Sequence, residues 1–149
     1  MAQSLGARRE EQALSFARRC LTFGVLLMTF TGSLMFLFAR PLMSFFTPDA
    51  AVVALGAQVL RIEAFAEPFF ALAIVGTGIL RGAGDTRWPF IYSLIGMWLI
   101  RIVPAFVLLK VFNLGLQAAW ACMVADLIVR GVLNVNRFVK KRWIRAWKD

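Results

Sequence analysis

The residues of this 149-residue chain that could do chemistry are charged residues standing inside apolar runs. Glu63 and Glu67 are four positions apart, which puts two carboxylates on one helix face and costs stability if both are ionised. Burial favours the neutral form of a carboxyl, and a second carboxylate beside it adds to that preference. This is the chemistry a proton carrier needs. The plainer reading has Glu63 reaching headgroup water and Glu67 pairing with a basic group. Asp126 and Arg130 share the same spacing with the acid first, so they can pair within their own helix. Gly115, Ala119, Cys122 and Asp126 form a small-residue stripe of the kind along which membrane helices pack closely. The pair therefore faces protein, as a structural clasp near the cytoplasmic end or as part of a substrate path. Arg101 follows Arg87 by 14 residues, about 21 Å along a helix and past the midplane of a core about 30 Å thick. It can snorkel outward, gate a substrate, or pair with Glu67 if their helices are neighbours. Pro104 removes a backbone donor and frees the carbonyl of Ile100, so a kink is expected beside Arg101.

Other chemistries find no support. There is no histidine, and Cys20 and Cys122 stand far apart in apolar sequence. Neither a His/Cys metal site nor a disulfide framework is therefore expected, and two buried structural thiols are the better reading. No catalytic residues stand out, so neither an enzyme nor a bound cofactor is expected. The stretch "RGAGDTR" is not a phosphate-binding loop, because no G-x-G-x-x-G spacing, following lysine or preceding strand accompanies it. The net charge of +9 comes from bases that bracket apolar runs. A nucleic-acid partner needs a solvated basic surface, and none is expected here.

The elements that must position these residues are membrane helices. The chain is 60% hydrophobic, and its mean hydropathy is +0.74. A soluble fold could not cover so apolar a chain. Residues 20–39 carry no charge until Arg40 and are long enough to cross a bilayer. Spans are also expected at 64–80, 88–109 and 114–133, each tolerating an internal charge. A polar segment, 1–19, precedes the first span. Thr47-Pro48-Asp49 resembles a helix start, and 48–63 reads as an interfacial lead-in to the second span. A basic tail, 137–149, closes the chain. The fold class is thus an all-α polytopic membrane protein with four transmembrane helices.

Between the second and third spans, Gly82 and Gly84 suit positive φ and a helix stop. Asp85 or Thr86 can cap the next helix, which begins at Arg87 with Pro89 in its first turn. With both termini on one side, 12 of the 17 basic residues fall there: residues 1–19, the turn and the tail. The positive-inside rule then places both termini and the turn in the cytoplasm.

"LRGAGDTRWP" between membrane helices resembles the turn of multidrug and toxic compound extrusion (MATE) transporters. "QSLGARREEQALSFARR", "FFTPDAAVVALGAQVLRI", "RIVPAFVL" and "GLQAAWACMVADLIVR" are similar, in order, to further segments of one half of that family. The resemblance implies a twelve-helix fold of two six-helix lobes, of which this chain would supply helices nine to twelve as part of a longer exporter. It implies antiport of organic, often cationic compounds against Na+ or H+ across a bacterial inner membrane. The partners implied are the lipid bilayer, those small organic substrates and the remaining helices. One branch of the family has an aspartate on the second of these helices, where Phe70 stands here, so that ligand is not carried over. Two other readings remain: a non-transporting membrane scaffold or subunit, and a four-helix small pump acting as a dimer. The second is disfavoured by the absence of an acidic residue from 20–39.

Overall fold

The computed structural model describes residues 2–7, 9–112, 115–141 and 143. Arg8, Leu114, Arg142 and the tail from residue 144 lie outside the described residues, and with them most of the expected basic tail. The described residues are helical, with no strand among them. The helices are α1 (Ala2–Gly6), α2 (Glu10–Leu37), α3 (Ala39–Phe46), α4 (Ala50–Gly82), α5 (Arg87–Ile95), α6 (Val103–Lys110) and α7 (Leu116–Val139). A π-helical stretch, Gly96–Ile102, joins α5 to α6 into one continuous rod. Three helical rods are long and apolar enough to cross a membrane: α2, the rod Arg87–Lys110, and α7.

The helices do not break where hydropathy changes. Residues 10–19 are polar yet belong to α2, because a helix ends where its backbone is interrupted and not where its side chains become charged. The expected lead-in at 48–63 is likewise no separate element. It is the first half of α4, a single helix of 33 residues, about 50 Å long and longer than the hydrocarbon core. Asp49 starts that helix: its carboxylate accepts from the backbone N–H of Ala51 at 2.8 Å and of Val52 at 3.3 Å. Pro48 stands before the cap, outside the helix. Pro68 lies inside α4 without ending it.

At the other end, α4 stops in a Schellman turn. Asp85 N–H bonds to Leu80 C=O and Gly84 N–H to Arg81 C=O, each at 3.0 Å. Only Gly84 takes positive φ, 85°; Gly82 is the last helical residue. The expected side-chain cap of α5 is not formed, since Thr86 makes no cap hydrogen bond and Asp85 is turned elsewhere.

The order of packing follows from small residues. Gly24 of α2 meets Val75 of α4, and Gly32 meets Ala64 and Glu67, so α2 and α4 run antiparallel. Gly131 of α7 lies against the Phe69 carbonyl and Leu72, and Gly76 of α4 against Asn134. Since Gln58 meets Gln117 near one end and Asp85 meets Arg137 near the other, α4 and α7 run parallel. The Arg87–Lys110 rod packs mainly on α7. Thus α4 is central, α2 and α7 flank it, and the rod is outermost. The main apolar core sits around the turn, where Leu5, Ala13, Ala17, Leu80, Phe138 and Trp143 pack together. Elsewhere the apolar faces look outward: in both α2 and the Arg87–Lys110 rod, only 6% of the most apolar stretch is buried. Such faces suit lipid or further membrane helices.

Candidate functional site

Of the charged residues singled out in the sequence, Glu63 and Glu67 fall on α4, Asp126 and Arg130 on α7, and Arg101 on the outer rod. On α4, Glu63 and Glu67 are both half-buried. They are held differently. Glu63 points to α7 and accepts a hydrogen bond from Trp120 Nε1 at 3.0 Å. Glu67 packs its methylenes beside Gly32 of α2 and has no hydrogen-bond or ion-pair partner among the described residues. The two carboxylates thus turn toward different neighbouring helices, and only Glu63 is anchored. The basic partner considered for Glu67 is not supplied by Arg101. That residue is exposed on the π-helical stretch, and its Nη2 contacts the Met123 sulfur at 3.2 Å. At the place where a kink was expected, before Pro104, the helix widens, with Val103 N–H reaching back five residues to Trp98 C=O.

A line of polar side chains runs along α7: Asp126, Arg130, Asn134 and Arg137. Asp126 is fully buried, and its Oδ2 accepts from Arg130 Nη2 at 2.7 Å. This pair was legible from its spacing. Its setting was not, for Asp126 is pressed against Gly96, and any side chain at 96 would collide with Oδ1. That Oδ1 and Arg130 Nε are buried without a hydrogen-bond partner. One turn on, Asn134 donates through Nδ2 to the Ala73 carbonyl at 3.1 Å and to Thr77 Oγ1 at 2.9 Å. Arg137 then forms a buried ion pair with Asp85 and lies over the Trp88 ring, 4.8 Å from its centroid. Asp85 is therefore a tertiary partner and not a helix cap.

Sequence reasoning missed Trp120, Asn134 and Arg137. The signal was present, since 126, 130, 134 and 137 recur at helical spacing on one face. The expected small-residue stripe holds only in part: Cys122 and Asp126 are buried, Ala119 is half-buried and Gly115 is exposed. Of the two cysteines, Cys122 is buried and Cys20 half-buried, and both are free. No group of metal-binding side chains forms among the described residues.

Of the turn residues, Gly84 and Asp85 have defined roles, in the chain reversal and the ion pair. Arg87 and Thr86 are exposed. Phe70 is half-buried beside Ala66, Ala73 and Leu127. Between α4, α5 and α7 lies an open groove of about 450 Å³, with Phe70, Thr77, Arg81, Ser93 and Arg130 among its walls. A second, of about 390 Å³, lies between α2 and α4 and is lined by Thr29, Ser33, Phe36, Phe65 and Pro68.

Comparison with known proteins points to one family. The profile of the MatE family matches residues 1–107. A "Probable multidrug resistance protein NorM" of Thermotoga maritima is 33% identical over 138 residues, covering 93% of this chain and 30% of that protein. The multidrug resistance protein MdtK of Proteus mirabilis is 25% identical over 98% of this chain and 32% of its own length. The multidrug and toxin extrusion protein 1 of Pongo abelii is 27% identical over 96% of this chain and 25% of its own. The chain thus spans about a third or less of the length of these curated relatives. With the family profile matched over most of its residues and its helices laid out as a polytopic membrane bundle, the chain belongs to the MatE, or multidrug and toxic compound extrusion, family.

Proposed function

We propose that this chain is the part of a multidrug efflux antiporter that supplies helices nine to twelve. It would act with the remaining helices to export organic, often cationic compounds in exchange for Na+ or H+. In this reading both termini and the Gly84 turn face the cytoplasm of a bacterial cell.

The observation that carries the coupling role is Glu67. It is a half-buried carboxyl in the middle of the central helix, and no described residue neutralises it. A lone ionisable group at membrane depth is costly unless it binds a proton or a cation. Glu63, four residues earlier and anchored by Trp120, sets a second carboxylate near the same stretch of α4. The outward apolar faces of α2 and the Arg87–Lys110 rod supply surface for the remaining helices and for lipid. Membership of the family and the names of the relatives support multidrug export as the activity of the whole protein.

The test is a chimera of the Thermotoga maritima relative in which the matched stretch is replaced by these residues. It is expressed in bacteria lacking their own multidrug pumps, and efflux of a fluorescent organic cation is followed under an imposed Na+ or pH gradient. Efflux driven by one of the two gradients is expected, together with none from the 149-residue chain alone. Efflux indifferent to both gradients, or efflux by the chain alone, would count against the proposal.

A further inference from the structure

We propose that the groove between α4, α5 and α7 is a binding site for an anionic group, a phosphate or carboxylate, carried on an apolar body. The inference is separate from the coupling role of Glu67 and runs against the expectation of cationic ligands alone. Its walls divide by chemistry. Phe70, Ile74 and Leu127 make the apolar part, and Arg81, Arg130, Thr77 and Ser93 the polar part. No carboxylate lines it.

The charge balance selects a single negative charge. Arg130 is neutralised by Asp126, its i−4 neighbour. Arg81 is exposed at the wall, and the ion pairs among the described residues are Asp126–Arg130 and Asp85–Arg137. Among the described residues, Arg81 is thus the one charge at the groove without an ion-pair partner. Hydrogen-bond donors stand along the polar wall. Asp126 takes Arg130 through Nη2, which leaves Nη1 of the guanidinium uncommitted. Thr77 Oγ1 accepts from Asn134, so its own hydrogen is free to donate. Ser93 adds a second hydroxyl. A groove with an unpaired arginine and hydroxyl donors on one wall and apolar side chains on the other favours an amphiphilic anion with acceptor oxygens. At about 450 Å³ it has room for a headgroup or a compact amphiphile.

The fold supplies its own handle for a test. Gly78 lines the groove, and a Cβ placed there meets no atom within 4 Å. A side chain at 78 therefore starts in open space, and Gly78→Leu projects into the groove from one wall. Two anionic probes distinguish the sources of the ligand. One is phosphatidylglycerol, with phosphatidylcholine as its zwitterionic control, read by native mass spectrometry. The other is dansyl-undecanoic acid, with its methyl ester as the neutral control, read by fluorescence. Both are applied to the intact membrane protein carrying this chain, in detergent micelles.

Gly78→Leu is expected to abolish binding of at least one acid. Arg81→Gln should weaken that same acid about tenfold, and the controls should not respond. Loss confined to phosphatidylglycerol assigns the groove to bilayer lipid. Loss confined to the carboxylate assigns it to free organic anions. Binding of both acids unchanged in Gly78→Leu, with the elution profile of the unaltered protein, overturns the proposal. The same holds if acids and neutral controls weaken equally in Arg81→Gln.

Discussion

Asp85, in the turn after α4, and Arg137, near the end of α7, form an ion pair across 52 residues of sequence, with side chains 2% and 9% exposed. The Trp88 ring covers the guanidinium from one side. The pair ties the turn to the last helix in the best-packed part of the molecule, beside Leu80 and Phe138. Removing one partner leaves the other as an uncompensated buried charge. Asp85→Ala and Arg137→Ala should each destabilise the protein by about 3 kcal/mol in thermal unfolding in detergent. The double variant should lose clearly less than the sum of the two, because the stranded charge is then gone.

Glycines along the helices should respond according to what a methyl group would meet. At Gly96 it would strike the buried Asp126 carboxylate and press on Arg130, so Gly96→Ala should cost about 2 kcal/mol or more. At Gly78 it meets nothing, so Gly78→Ala should gain up to about 1 kcal/mol from helix propensity. Melting temperatures that move in opposite directions would bear this out. A shared direction would show that helix propensity alone governs both positions.

These contrasts show which parts of the fold can be read along the chain. Apolar runs and the glycine turn announced the helices and their reversal, because both depend on residues close in sequence. The Asp126–Arg130 pair was legible for the same reason. The Asp85–Arg137 pair, the Trp120–Glu63 hydrogen bond and the seat of Asp126 on Gly96 were not. Each depends on the register between two helices, and packing of side chains far apart in sequence sets that register. The continuity of α4 through residues 50–63 was hidden for a different reason. Moderate hydropathy marks where a helix leaves the hydrocarbon core, not where its hydrogen bonds stop.

The unequal treatment of the two glutamates predicts unequal phenotypes. In the transport-competent chimera, Glu67→Gln should lower efflux at least tenfold at unchanged protein level, since no other described carboxyl takes its place. Trp120→Phe keeps an aromatic body but removes the indole N–H that holds Glu63. It should lower efflux only a few-fold and shift the dependence of rate on the driving gradient. Full activity in Glu67→Gln would remove that residue from the coupling role.

Orientation is the most direct consequence of the charge distribution. With both termini and the turn on one side, 12 of 17 basic residues lie together, and Lys and Arg in short loops are retained in the cytoplasm. A single-cysteine reporter must be accessible to test this. Ala83 is buried and unsuitable, whereas Thr86 is exposed in the turn and Phe46 is 79% exposed at the opposite end. In a background with Cys20 and Cys122 replaced by Ala, a cysteine at Thr86 should escape an impermeant thiol reagent added to intact cells. It should react once the membrane is opened. A cysteine at Phe46 should react from outside without permeabilisation. Both positions belong to the same bundle, so a reporter that fails to reach the membrane is recognised by the absence of any labelling in opened cells. Labelling of Thr86→Cys from outside, with Phe46→Cys silent until the cells are opened, would invert the orientation and place the Asp85–Arg137 pair on the outer face.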